Sequence, residues 1–507
     1  MMANSSFVLF TVEIITVGHI FPNAPGAIPF IGPGLDTAIE ELGRLYGRNF
    51  NFTHKYLFDS RYPNAYELAT GSDVLVASWY YSPLRRPGNL TVFIFGGSLE
   101  SYPTNRLAGG WNTLMMTSVT NGQILRNREL SPTWITGSCV SLGAYLRLYD
   151  NLLQTFKWRS IYVIADAAAN PVYLDLHPSL LGVISRIEGS QCTSRWINSG
   201  RSVVTDLKPY LLEFQTMSRV LIFLGRGETL RQLMLEAFNQ SMTGSEYVFI
   251  AMEVFESPLY GRFTWKAGDS DDNMAREAFR SVLLLGPDRS IYDAPSTGLV
   301  HDWKRRTLRD YNVSYDEVNP YVMSSYSSVL IFGQILNETL TAEELPDFRD
   351  GKALAQRFMN RSFRLDYTEV YIDEAGERRP DLVVRDLDLE SGRFVKKLLQ
   401  EKKHSHLITL GDIDWGGDSA DEGPPQNEPP CGYRGHARDC QRSNHQTAIV
   451  TGVLVTLCGV VGAVTAIYAA VRRSNKAADM WWKLQLVEEI TGTVSVTFTP
   501  KTLKRIV

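Results

Sequence analysis

"SIYVIAD" (Ser160–Asp166) is an apolar run with no polar face. Successive side chains of a strand point to opposite faces, so a run that is apolar throughout predicts a strand buried on both sides, typical of a central position in a parallel sheet. We predict further strands of this kind in "DVLVAS" from Asp73, "LTVFIFGG" from Leu90, "RVLIFLG" from Arg219 and "EYVFIAM" from Glu246, and a first buried strand in "EIITVGHIFP" from Glu13.

Amphipathic helical patterns alternate with these strands. They are "GLDTAIEELGRLYG" from Gly34, "LGAYLRLYDNLLQTFKW" from Leu142 and "TLRQLMLEAFNQ" from Thr229. Repeated βα units indicate an α/β fold with helices on both faces of a parallel sheet. A chain of 507 residues exceeds what one hydrophobic core usually fills. We therefore expect two doubly wound lobes, with a ligand beyond the carboxyl ends of the strands.

The composition argues against several functional classes. A net charge of −4 gives no reason to expect nucleic acid as a partner. The histidines are not set in HExxH and no nucleophile elbow is present, so we predict no catalytic residue, no metal and no cofactor in this chain. The glycine turn "GRGETLRQL" from Gly225 could seat an anion, but an ordinary βα turn is the favoured interpretation.

An uninterrupted apolar segment, Ala448 to Val471, predicts a transmembrane helix. Its 24 residues reach about 36 Å as a helix, enough to cross a hydrocarbon core of about 30 Å. Arg472, Arg473 and Lys476 follow at once, so the positive-inside rule places the C-terminal side in the cytoplasm. We expect a single-pass type I plasma-membrane protein with an extracellular N-terminus.

Glycosylation sequons agree with that orientation. None follows the span, and those in the predicted outer part include Asn51, Asn89, Asn239, Asn312, Asn337 and Asn360. A type I orientation needs a signal peptide, yet the N-terminus lacks a basic region and Glu13 interrupts its apolar run. Either the start of the sequence is incomplete or Phe7–Leu9 belongs to a degenerate signal.

Five fragments, in order, resemble the ligand-binding ectodomain of natriuretic peptide receptors and receptor-type guanylate cyclases. They are "IGPGLDTAIEEL" from Ile31, "FKWRSIYVIAD" from Phe156, "EYVFIAMEVF" from Glu246 with "DSDDNMAREAFRSVLLL" from Asp269, "QILNETL" from Gln334, and "FMNRSFRLDYTEVYIDEAGERRPDLVVRDLD" from Phe358. "ADMWWKLQLVEEITGTVSVTFTPKT" from Ala478 resembles the cyclases' juxtamembrane segment. The resemblance implies two lobes of the type I periplasmic-binding-protein kind over residues 11–410, a stalk with a cysteine loop over 411–445, the span at 448–471, and a cytoplasmic juxtamembrane segment over 472–507.

The resemblance also implies a function. We expect a receptor, acting as a homodimer, whose extracellular ligand, a peptide or a small molecule, controls a cytoplasmic guanylate cyclase in the full-length form. The residues written here include no kinase-homology or cyclase domain, so the alternative is a clearance or decoy receptor complete at residue 507. Whether the protein is an enzyme stays open, and no ligand-binding residue can be named.

The cysteines admit more than one interpretation. Cys431, His436, Cys440 and His445 are spaced as zinc ligands, although His445 sits almost at the start of the span. Natriuretic-type receptors carry a cysteine loop at this place, so the resemblance implies a Cys431–Cys440 disulfide. Cys139 and Cys192 do not match a family bridge, and an oxidising compartment permits either a disulfide between them or two free thiols.

Two departures and two weaker motifs complete the prediction. Gly96, Gly97 and Ser98 stand where many family members have a cysteine and bind chloride, so neither that bridge nor that chloride site is expected here. The acidic segment from Asp412 is interpreted as a solvated stalk rather than a calcium site. Inside the span, Gly459 with Ala463 and Gly462 with Ala466 would permit close helix pairing.

Overall fold

A computed structural model describes most of the chain before the predicted span and most of the span. The described residues are 10–22, 24–83, 85–97, 99–119, 123–200, 206–288, 297–315, 319–340, 348–404, 406–415, 423–429, 431–433 and 452–476. The chain divides into two compact units, Met1–Glu428 and Pro429–Val507, and each is described by itself below.

The first lobe is built on a parallel sheet with the strand order β2-β1-β3-β4-β5. Its strands are β1 (Phe10–Val17), β2 (Phe50–Leu57), β3 (Leu90–Phe95), β4 (Leu114–Thr117) and β5 (Trp134–Thr136). The helices between them are α1 (Ile28–Tyr46), α2 (Ala65–Ala69), α3 (Ser72–Tyr80) and α4 (Ser101–Gly110). All four strand pairings are parallel, as expected when helices provide the crossovers.

The second lobe repeats this plan with the strand order β10-β9-β8-β6-β7. Its strands are β6 (Ser160–Asp166), β7 (Gln191–Ile197), β8 (Val220–Leu224), β9 (Val248–Met252) and β10 (Val282–Pro287). Its helices are α5 (Leu142–Thr155), α6 (Pro171–Ser185), α7 (Lys208–Gln215), α8 (Gly227–Asn239) and α9 (Asp272–Ala278). These pairings are parallel too, which confirms the predicted pair of doubly wound lobes.

The chain then returns to the first lobe. Helices α10 (Thr297–Tyr311), α11 (Pro320–Leu340) and α12 (Gly351–Gln356) are followed by a small antiparallel sheet of β11 (Arg361–Arg364), β12 (Glu369–Ile372) and β13 (Arg378–Arg379). Both α10 and α11 pack on α1. The buried indole of Trp303 on α10 donates to the hydroxyl of Thr37 on α1 at 2.8 Å. The first lobe is therefore completed by sequence that follows the second.

A last return extends the second lobe. Strands β14 (Leu382–Asp388), β15 (Arg393–Gln400) and β16 (Leu407–Thr409) add to the sheet antiparallel, beginning at the β10 edge. The central strands β3, β6, β8 and β9 are buried at every residue. Their continuous apolar character in the sequence thus follows from burial on both faces.

The predicted strand "DVLVAS" is wrong, because these residues lie in helix α3. Ser72, Val76 and Trp79 are the buried positions, and their spacing of four and three follows the helical period. Val74, in the middle of the run, is exposed. The apolar run therefore covers both the buried and the exposed side of a short helix and does not form a buried strand.

The predicted stalk is also partly wrong. Ile413 and Trp415 pack against the main hydrophobic core of the first unit. The fully buried Trp158 donates its indole N–H to the carbonyl of Pro425 at 2.8 Å. The side-chain oxygen of Asn427 accepts from the backbone N–H groups of Arg159 and Ser160 at 2.5 and 2.7 Å. The described part of residues 411–428 therefore belongs to the bilobed unit.

The second unit contains one helix, α13 (Gly452–Lys476), within its described residues. It has 25 residues and is the one described helix that is long and apolar enough to cross a membrane, and none of its apolar window is buried in the structure. It overlaps the predicted span from Gly452 onward and ends five residues after Val471. Residues 448–451 lie outside the described residues.

Candidate ligand-binding site

A cavity of about 200 Å³ lies between the two lobes. Its first-lobe lining includes loop residues that directly follow strands. His19 lies two residues after the end of β1, Gly97 two residues after β3, and Val119 two residues after β4. From the second lobe, Asn170 follows the end of β6. This is the predicted location, because carboxyl ends of parallel strands open a crevice at the edge of each sheet.

Backbone forms much of the first-lobe wall. A side-chain carbon at Gly26 would collide with the carbonyl oxygen of Gly96, so these two loops are in direct backbone contact. His19 is buried, and its Nδ1 lies 3.0 Å from the carbonyl oxygen of Phe21. Burial lowers the pKa of His19, although the Phe21 carbonyl opposes the shift. The imidazole is therefore held neutral at the cavity.

A fully buried carboxyl lies directly behind this wall. Glu100 has no exposed surface, and a side chain at Gly97 would collide with its carboxyl oxygens. Burial raises the pKa of Glu100 to about 7, against the opposing effect of the backbone N–H groups of Glu100 and Gly97. Gly97 thus separates the cavity from an acid that titrates near neutral pH.

Helix α6 provides part of the second-lobe wall. The side-chain oxygen of Asn170 caps the helix by accepting from the Val172 N–H at 3.1 Å, and Pro171 occupies the first turn. One turn further on, Asp175 faces the cavity and is half-buried. Burial raises the pKa of Asp175. Among the described residues, Asp175 makes no hydrogen bond or ion pair.

Four aromatic rings meet at the boundary between the lobes. Tyr260 packs edge-on against Phe255 at 4.9 Å and Tyr173 at 6.2 Å between ring centroids. Tyr321, from α11 of the first lobe, packs edge-on against Phe255 at 5.3 Å. Burial raises the pKa of Tyr260 well above its usual value, and a hydrogen bond to Tyr321 adds to the shift. The cluster therefore links the lobes by ring packing and a hydroxyl contact.

The structure contradicts a disulfide between Cys139 and Cys192. Both are free thiols, the first buried and the second exposed on the outer strand β7. Cys139 lies in the connection before α5, where its backbone N–H donates to the Ser324 hydroxyl at 2.9 Å. Cys431 is not among the free cysteines, and Cys440 lies outside the described residues. The Cys431–Cys440 bridge stays a prediction.

The other predicted sites have simple surroundings. The predicted glycosylation residues Asn51, Asn239, Asn312 and Asn360 are exposed, whereas Asn89 and Asn337 are half-buried. At the start of α8, Gly227 N–H donates to the Tyr260 carbonyl at 3.1 Å, so this glycine turn is committed to packing. No group of metal-ligating side chains occurs within the described ranges, and His436, Cys440 and His445 lie outside them.

The sequence assigned no residue of this cavity to ligand binding. A usable signal was present, because β1, β3 and β6 were predicted and the residues just after them include His19, Gly97 and Asn170. Asp175 carries no comparable signal, since it reaches the cavity by its position on a helix. Glu100 is found only through the close approach of its side chain to Gly97.

Two sheets with a cavity between them and, further along the chain, one apolar helix define a bilobed α/β protein with one candidate membrane span. The family "Receptor family ligand binding region", abbreviated ANF_receptor, matches residues 91–390. The chain belongs to this family. The match includes most of the second-lobe strands and the crossings between the lobes, and it covers the resembling fragments from Phe156 to residue 388.

Several curated proteins are similar to the chain. "Receptor-type guanylate cyclase gcy-28" of Caenorhabditis elegans is 28% identical over 298 residues, covering 57% of this chain and 22% of the relative. "Atrial natriuretic peptide receptor 3" of Mus musculus is 26% identical over 298 residues, covering 57% and 53%. "Atrial natriuretic peptide receptor 2" of Rattus norvegicus is 24% identical over 501 residues, covering 91% and 44%. The chain thus spans about half or less of the length of these relatives.

Proposed function

We propose that this chain is the ligand-binding and membrane-spanning part of a single-pass cell-surface receptor that controls a cytoplasmic guanylate cyclase. The observation that carries the proposal is the presence, in one chain, of a bilobed ectodomain with an interlobe cavity and of the apolar helix α13. Relatives named as a guanylate cyclase and as natriuretic peptide receptors support the same assignment. The similarity to the rat receptor covers 91% of the chain, well beyond residues 91–390.

The proposed mechanism is a shift between two arrangements of the ectodomain. A ligand in the cleft contacts both lobes, so it stabilises the arrangement in which those contacts are made. It can shift the equilibrium only by its differential affinity for the two arrangements. We propose that the receptor acts as a homodimer and that the change passes through α13 to the cyclase.

The proposed orientation places the bilobed unit outside the cell. Exposed sequon residues such as Asn51 and Asn239 support it, as do the cationic residues Arg472 and Arg473 at the end of α13. The proposed Cys431–Cys440 loop would then lie in an oxidising compartment. Glycosidase treatment of surface protein should increase its mobility on a gel, and an antibody to the C-terminus should require permeabilised cells. The reverse accessibility would refute the orientation.

The cyclase assignment is tested by extending the transcript past the codon for Val507. We expect an open reading frame with cyclase sequence, and membranes from cells that express the extended protein should convert GTP to cGMP. Replacing a metal-binding aspartate of that cyclase region should abolish conversion without changing surface expression. A stop codon after Val507 in every transcript would refute the assignment and favour the binding-only receptor.

A further inference from the structure

We propose that the interlobe cavity binds a small organic cation, with an ammonium group paired to Asp175 and an apolar body against the aromatic and aliphatic lining. This inference rests on the proposed receptor function and names the chemical class of its ligand. It is carried by the charge, the hydrogen-bonding character and the size of the cavity.

The described part of the lining carries a negative charge. Among the described residues that line the cavity, Asp175 is the one carboxylate and no lysine or arginine occurs, and Glu100 adds a second acid behind Gly97. Arg226 acts on the pKa of Tyr173 near the cavity, but it does not line the cavity and lies 3.5 Å from the carboxylate of Glu228. A half-buried carboxylate that has no partner among the described residues is stabilised by a cationic ligand, since an opposite charge offsets desolvation.

The hydrogen-bonding groups also favour a donor ligand. A carbonyl oxygen only accepts, so the contact between His19 Nδ1 and the Phe21 carbonyl places the imidazole proton on Nδ1. In the neutral ring Nε2 is then an acceptor. Asp175 is likewise an acceptor when ionised. An ammonium group, with several N–H donors and no acceptor, matches both.

The remaining lining suits the rest of such a ligand. Tyr66, Tyr260 and Tyr321 offer aromatic surfaces, which attract cations through the ring quadrupole. Leu99, Val119, Val172 and Leu259 add aliphatic surface. The volume of about 200 Å³ is below the roughly 300–1,000 Å³ of pockets for drug-sized ligands. We therefore expect a ligand with one ring or a short chain.

The test uses the full chain in nanodiscs and two amine probes, butylamine and phenethylamine. Each is compared with its matched alcohol and carboxylic acid in a thermal-unfolding assay, because a ligand that binds the native state raises the melting temperature. We expect at least one amine to raise it in proportion to concentration, with the alcohol and the acid giving little or no shift. Equal shifts from an alcohol or an acid, or no shift from either amine at millimolar concentration, would overturn the proposal.

Two variants test whether the ammonium group of the ligand binds at Asp175. Asp175→Asn and Asp175→Ser should weaken amine binding about tenfold or more, the scale of one hydrogen bond to a charged group. Asp366→Asn is the matched control, because Asp366 is exposed and does not line the cavity. Unchanged amine binding in both Asp175 variants would refute the site. The wild-type comparison of amine, alcohol and acid remains decisive even if neither variant folds.

The two proposals fail in different ways. The transcript and cGMP measurements do not depend on any added ligand. If the extended protein has cyclase activity but the cavity does not bind amines, the proposed receptor function is retained and the proposal of a cationic ligand is refuted. Amine binding combined with a verified stop codon would reject the cyclase and keep the ligand class.

Discussion

The two walls of the interlobe cavity differ in how much backbone and how much side chain they present to a ligand. In the first lobe, much of the wall consists of loops whose backbones touch at Gly26 and Gly96, with Glu100 buried behind them. In the second lobe, it consists of side chains on a helix and a loop, including Asp175 and Tyr260. A backbone wall can change little without disturbing the fold, whereas a side-chain wall can change its chemistry one residue at a time.

This difference separates two roles. Substitutions in the first-lobe wall should act on stability, because its glycines are needed for close packing of loops. Substitution of Asp175, the second-lobe lining residue that makes no hydrogen bond or ion pair among the described residues, should act on ligand affinity with little effect on stability. The predictions below test that separation on each side, beginning with the largest expected effect.

The buried acid behind the first-lobe wall should make stability depend on pH. The pKa of Glu100 is raised from 4.5 in the unfolded chain to about 7 in the folded protein, so the native state holds this proton more tightly. The contribution of this tighter proton binding to the free energy of unfolding is fully present below pH 4.5 and is lost as the pH rises to about 7. The unfolding free energy of the wild type relative to Glu100→Gln should fall by about 3 kcal/mol across this window.

Denaturant titrations at several pH values measure this effect. Glu188→Gln is a suitable control, since Glu188 is an exposed carboxyl on the second lobe. Its pH profile should parallel that of the wild type. If Glu100→Gln also ran parallel to the wild type from pH 4.5 to 7, the carboxyl would not be a buried acid in the folded protein.

Close backbone packing in the same wall should make Gly26 intolerant of a side chain. Gly26→Ala places a carbon against the Gly96 carbonyl and should destabilise the fold by about 2 kcal/mol. Gly43→Ala is the control, because Gly43 is exposed within α1 with open space beside it and should stabilise by about 0.5–1 kcal/mol. Thermal unfolding checks both signs, and a neutral Gly26→Ala would contradict a wall of touching backbones.

The second lobe is fixed at the amino end of β6, away from the cavity, by sequence that follows β16. The side-chain oxygen of Asn427 accepts hydrogen bonds from the backbone N–H groups of Arg159 and Ser160, where β6 begins. Asn427→Ala therefore removes the acceptor of both bonds. We expect a loss of about 1.5 kcal/mol, and Asn427→Asp should retain most of the stability because a carboxylate can accept both bonds. Chemical denaturation measures the pair, and equal losses in both variants would exclude this hydrogen-bonding role.

Much of the fold was predictable from the sequence, but the site was not. Strands β3, β6, β8 and β9 are buried on both faces, so a continuous run of apolar residues is enough to predict them. Helix α3 was mistaken for a strand because its apolar run is short, and only Trp79 beyond that run reveals the helical period.

The site depends on contacts between residues far apart in the chain. Tyr260 and Tyr321 meet across the lobes, and Trp158 pairs with Pro425. Local propensity and periodicity carry no information about such pairs. The incorrect prediction of a solvated stalk has the same origin. A Gly- and Pro-rich composition is compatible with a solvated linker and also with a segment held to the second lobe by the hydrogen bonds of Asn427.

The smallest expected effect tests the contact between the two lobes. Tyr321→Phe removes the hydroxyl that is hydrogen-bonded to Tyr260 but keeps the ring that packs on Phe255. The unfolding free energy should fall by about 1 kcal/mol, the usual contribution of one such bond. Tyr66→Phe is the control within the same cavity, since Tyr66 is 64% exposed and lies in the first lobe. Hydrogen exchange should become faster both at the start of α11 and around Tyr260 in Tyr321→Phe, because each end loses its partner in the other lobe. Faster exchange on one side only would mean that the hydroxyl stabilises its own lobe, and that Tyr321 contacts the second lobe through ring packing only.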